Sequence, residues 1–70
     1  MTRLTDRYCN GRSVWLYLDE TKRPAVGVRR YRACFYDSHT GFESDIWYFH
    51  RADADYDANT FLNEIGRAHV

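Results

Sequence analysis

Residues 31–49, YRACFYDSHTGFESDIWYF, decide the fold, because two largely apolar stretches flank a short polar break. Asp37 stands at the first position of a turn, Ser38, His39 and Thr40 are polar, and Gly41 tolerates positive φ. The segment reads as a β-hairpin. With Ser38–Gly41 as its loop, Asp37 faces Phe42, and the pairing continues as Phe35 with Ser44, Ala33 with Ile46 and Tyr31 with Tyr48. These residues share one face, which is assigned to the side beneath a helix. The other face shows Arg30 and Arg32 beside Trp47 and Phe49. The strand after the turn is expected to run from Phe42 to about Arg51, apolar on both faces as in a doubly covered strand.

Upstream, Val14, Leu16 and Leu18 alternate with Ser13, Trp15, Tyr17 and Asp19, the period-2 pattern of a strand at about 13–19. Asp19 to Pro24 breaks it, since Pro24 has no backbone donor. The next strand is expected over Ala25 to Tyr36, with a bulge near Arg29-Arg30 to reconcile the phase of Val26 and Val28 with that of Tyr31, Ala33 and Phe35. Earlier still, Asn10-Gly11 is a tight-turn signal, and the segment around Leu4–Tyr8 before it reads as a short edge strand or hairpin arm. Downstream, Ala58, Phe61 or Leu62, Ile65, and Ala68 or His69 recur at helical spacing. The expected fold is therefore α+β: a three-stranded antiparallel sheet, with Leu4–Tyr8 as an added fourth strand, and one C-terminal helix packed on a face. Residues 1–70 form one domain.

A chain of 70 residues buries only about 60% of the surface its unfolded form exposes, so its core is small. Twelve aromatic side chains supply much of it. The longest apolar run, Val14 to Leu18, is far below the roughly 18 residues of a membrane span. The first residues, MTRLTDRYCNGRS, lack the apolar stretch of a secretory signal, and a cytoplasmic location is expected. Cys9 and Cys34 are then expected as thiols. No pair among Cys9, Cys34, His39, His50 and His69 has the close spacing of a zinc-ligand knuckle.

The net charge is zero, yet the charges are sorted. Residues 1–36 carry eight basic and three acidic side chains, a net +5, whereas residues 37–70 carry two basic and seven acidic, a net −5. Such sorting either cancels when the halves pack together or leaves a basic and an acidic face.

In the acidic half, Asp53, Asp55, Asp57 and Glu64 occupy the first, third, fifth and twelfth positions of D-x-[DN]-x-[DN]-G-x5-E, so residues 53–64 resemble the EF-hand calcium loop. Ala58 stands where that loop needs glycine, and the preceding Ile46-Trp47-Tyr48-Phe49 is strand-like where an EF-hand has a helix. The more economical reading makes Asp57 a helix N-cap, with Tyr56 and Phe61 as a hydrophobic staple and Asp53 and Asp55 near the positive end of the helix dipole. The same carboxylates on a surface are suited to a protein site built for nucleic-acid phosphates.

In the basic half, VRRYRACFYD places Arg29, Arg30 and Arg32 close to aromatic residues. Arginines beside Trp47 suit a stacking platform for bases flanked by phosphate contacts, or cation–π pairs internal to the protein. Three antiparallel strands followed by a helix, with an Arg-rich middle strand, resemble the arm-type DNA-binding domains of tyrosine integrases and the plant AP2 domains. That resemblance implies DNA or RNA binding through Arg29, Arg30, Arg32 and Trp47.

Catalysis is not expected. Cys34 lies mid-strand, His39 and His50 have no carboxylate orienter at fixed spacing, and Gly11, Gly27, Gly41 and Gly66 form no phosphate loop. No cofactor, metal or small-molecule substrate is expected. A small domain with sorted charge and no catalytic constellation resembles the phage-encoded inhibitors of host defence, including anti-CRISPR proteins, in size, composition and charge sorting. The resemblance implies docking on a nucleic-acid-handling protein complex, with Glu43, Asp45, Asp53, Asp55 and Asp57 as phosphate-like contacts and Trp47 as an anchor.

Overall fold

Asn10 and Gly11 both take positive φ, 51° and 82°. That is the backbone of a two-residue hairpin turn whose twist matches its strands, and it joins β1 (Thr2–Cys9) to β2 (Arg12–Leu18). β3 (Tyr31–Asp37), β4 (Phe42–Tyr48) and α1 (Arg51–Arg67) complete the fold. The computed structural model describes residues 1–67, and side chains through Asn63. The four antiparallel strands form one open sheet in the order β1-β2-β3-β4, with α1 packed on it. The N-terminal strand is thus a full member of the sheet, longer than the expected Leu4–Tyr8.

The β3–β4 register is the expected one, with Asp37 opposite Phe42, Phe35 opposite Ser44, Ala33 opposite Ile46 and Tyr31 opposite Tyr48. Asp37 builds the turn: its carboxylate accepts from the His39 N–H at 2.9 Å and its carbonyl from the Gly41 N–H at 2.8 Å. The strand before this turn differs from expectation. Residues 25–30 are not paired, and no bulge is needed, because Gly27 at φ 81° turns the chain and the Val28 N–H donates to the Ala25 carbonyl at 3.2 Å. Val26, read as a strand residue, lies fully exposed at the tip of that turn. Pairing resumes only after the Asp19 N–H reaches the Arg30 carbonyl at 2.9 Å.

The helix starts well before the expected cap. β4 ends at Tyr48, the chain bends at Phe49-His50, and α1 begins at Arg51, so Asp57 lies inside the helix and caps nothing. Alanine explains the difference. Ala54, Ala58 and Leu62 repeat every four residues and are all buried, and alanine is the best helix former. Residues 53–64 are helical throughout, so the loop that a calcium motif requires does not form. Ile65, with Glu64, lies beyond the described side chains, and Ala68 and His69 lie outside the described residues.

The core joins Val14 and Leu16 of β2, Ala33 and Phe35 of β3 and Tyr48 of β4 to Ala54, Ala58 and Leu62 of α1. Phe61 meets Phe35 edge-on, with ring centroids 5.3 Å apart. At the margin, the Arg12 guanidinium sits 4.9 Å over the Phe61 ring, donates to the Phe61 carbonyl at 2.8 Å and pairs with buried Asp37 at 3.1 Å. One arginine therefore ties β2, the β3–β4 turn and the helix together.

Candidate functional site

Because α1 covers one face, side chains of the opposite phase line a face that no helix or strand covers among the described residues. Cross-strand partners share a face, so the register reads off this surface in rows. Arg3, Tyr17, Arg32 and Trp47 form one row, Asp6, Trp15, Cys34 and Asp45 the next, and Tyr8, Ser13, Tyr36 and Glu43 the third. Five aromatic side chains stand on it: Tyr8 is widely exposed, while Trp15, Tyr17, Tyr36 and Trp47 are half-buried among their neighbours.

The charges of this face are mostly paired within the protein. Arg32 donates to the Asp45 carboxylate across the β3–β4 pair. The Cys34 thiol and Arg32 both hold the Asp45 carboxyl below the usual carboxylate range. Burial, then the bond to Asp45, pushes the Cys34 thiol up to about 11. Lys22, from the β2–β3 connection, lies 4.1 Å from the Trp47 ring centroid, and Arg29 lies 4.3 Å from that of Phe49.

The residues singled out from sequence fall in three places. Glu43, Asp45, Trp47 and Arg32 share the uncovered face. Arg29 and Arg30 lie in the connection before β3; Arg29 stacks on Phe49, and the Arg30 Nε is buried with no hydrogen-bond partner among the described residues. Asp53, Asp55 and Asp57 ride on α1, on the other side of the sheet. There Asp55 pairs with Arg51 at 3.7 Å and Asp57 accepts from the Tyr48 hydroxyl at 2.7 Å. The five carboxylates expected to act together are thus divided between two sides of the molecule, and the three arginines do not form one row.

Trp15, Tyr17 and Tyr36 were not foreseen as site residues. Their signal was the second phase of the alternating strands, where Trp15 and Tyr17 put large aromatic rings opposite in phase to Val14 and Leu16.

No family model, curated protein or solved structure matches this chain. No described helix is long and apolar enough to cross a membrane. Among the described residues, no three His, Cys, Asp or Glu side chains group closely enough to hold a metal ion.

Proposed function

We propose that this chain is a non-enzymatic binding protein that docks a protein partner through the uncovered sheet face, with Trp15, Tyr17, Tyr36 and Trp47 as its anchors. The observation that carries this reading is the row pattern itself, four half-buried aromatic side chains on a face that no helix or strand covers among the described residues. Tryptophan, tyrosine and arginine dominate the residues that carry protein–protein binding energy. The charges favour a protein over a nucleic acid. Arg3, Lys22 and Arg32 balance Asp6, Glu43 and Asp45 on this side, and two of those cations are committed to Trp47 and Asp45. Phosphate binding needs uncommitted cations in excess. The partner class in keeping with the sequence is a nucleic-acid-handling complex of the kind that phage-encoded inhibitors block.

The test is an affinity capture with three forms of the protein: unaltered, Trp15→Ser with Tyr17→Ser, and Asp53→Lys with Asp55→Lys. The expected result is a partner captured by the unaltered chain, kept by the helix variant and lost by the sheet variant. A partner lost by the helix variant and kept by the sheet variant overturns the reading in favour of the acidic helix. Anisotropy of labelled single-stranded RNA and duplex DNA at two salt concentrations completes it, and salt-dependent binding would transfer the face to nucleic acid.

A further inference from the structure

The two edges of the sheet are built differently. β1 carries a register shift between Arg3 and Thr5, and the charged Arg7 pairs with Val14 on the helix side. A bulge and an inward-pointing charge are two devices by which sheets discourage edge pairing. β4 has neither. Its register with β3 is continuous through seven pairs, it contains no proline or lysine, and its helix-side residues are Phe42, Ser44, Ile46 and the buried Tyr48. Phe42 is 52% and Ile46 41% exposed, and both border an open groove of about 270 Å³ completed by Phe35, Ser44, Asp57, Thr60 and Phe61.

We infer that two copies of this chain pair through β4, antiparallel about a twofold axis perpendicular to the sheet, with Ile46 opposite Ile46 of the second copy. Charge selects both the occupant and the register. Centring the pair on Ser44 sets Glu43 against Asp45, and centring it on Asp45 sets that carboxylate against itself; like charges directly opposite destabilise a sheet. Centring it on Ile46 sets Asp45 opposite Trp47 of the other copy and brings Glu43 level with Phe49, at the bend that follows the strand. Both rings already carry a cation, Lys22 over Trp47 and Arg29 over Phe49. Each acid of one copy thus arrives beside a cation of the other, and each apolar Ile46 meets its equivalent. A twofold of this kind keeps both helices on one side and joins the uncovered faces into one eight-stranded surface.

This goes beyond the docking proposal and does not rest on it. Few residues enter the contact compared with the roughly 20–30 a side of a standard interface, so the dimer is expected to be concentration-dependent. Sedimentation velocity of the full chain from micromolar to sub-millimolar concentration reads the mass. The unaltered protein should move from one to two chain masses, and Ile46→Lys should stay at one. Glu43→Arg should also stay at one, and Glu43→Arg combined with Arg29→Glu should recover the dimer; circular dichroism shows that each variant is folded. A single chain mass for the unaltered protein at every concentration overturns the inference, as does a dimer that survives Ile46→Lys. Failure of the charge exchange to restore the dimer overturns the register.

Discussion

The Tyr48 hydroxyl, at the end of β4, donates to the Asp57 carboxylate of α1 at 2.7 Å, locking the helix to the last strand across the bend between them. Burial, then the bond to Asp57, raises the phenol above its ordinary range. Tyr48→Phe keeps the buried ring and removes only the bond, so it should cost about 1 kcal/mol. For a domain of this size that is a fall of about 4–8 °C in Tm, read by thermal circular dichroism.

Asp37 is the buried acid among the described side chains, and its carboxyl is held below the usual carboxylate range by the His39 N–H and then by the Arg12 guanidinium. A carboxylate with a lowered folded-state value contributes its stability above the unfolded value near pH 4 and loses it as pH falls through the folded value. Asp37→Asn should therefore be less stable than the unaltered protein at pH 7, and the gap should narrow on acidification below about pH 4. Urea midpoints across pH 3 to 7 measure it; a gap that stays constant would place the effect elsewhere.

Cys34 and Asp45 face each other on the uncovered side. With its thiol pushed up to about 11, Cys34 should react slowly with iodoacetamide at pH 8, where only roughly a thousandth is thiolate. Asp45→Ala removes both the acceptor and the negative charge, so alkylation of Cys34 should accelerate. Mass spectrometry of the modified peptide follows the rate separately from that of Cys9.

Two glycines at positive φ make a matched comparison. At Gly41 a Cβ would meet nothing within 4 Å, whereas at Gly11 it would lie 2.6 Å from the His39 Nε2 and 2.9 Å from the Ser38 Oγ. Gly41→Ala should cost only the backbone strain of roughly 1–2 kcal/mol, and Gly11→Ala more than that, because the exposed His39 and Ser38 side chains must also swing aside. Denaturant midpoints of the two variants test the order.

The parts of the fold that were legible in the sequence are those set by local turn chemistry. Asn10-Gly11 and Asp37 to Gly41 each specify a hairpin, and the second carried its register with it. The start of the helix was not legible, because ADADYDA alternates aspartate in a pattern that also suits a loop, and this hides Ala54 and Ala58 at helical spacing. Val26 and Val28 misled in the opposite direction: their β propensity is real, but Gly27 between them sits at positive φ in a turn. The candidate site was legible only in part. Trp47 and Arg32 were placed on one face by alternation, whereas Trp15 and Tyr17 became visible only once the helix was seen to cover Val14 and Leu16 instead. Period-2 alternation separates two faces and does not say which one a distant helix will choose.

Each strand in the order β1-β2-β3-β4 pairs only with strands next to it in the chain. The two hairpin turns therefore close over very short loops, and the one long closure is the connection from Asp19 to Arg30. Short closures cost little chain entropy and favour rapid folding. The two hairpins should form early and independently, and their collision through residues 19–30 should govern the rate at which the protein reaches its native state.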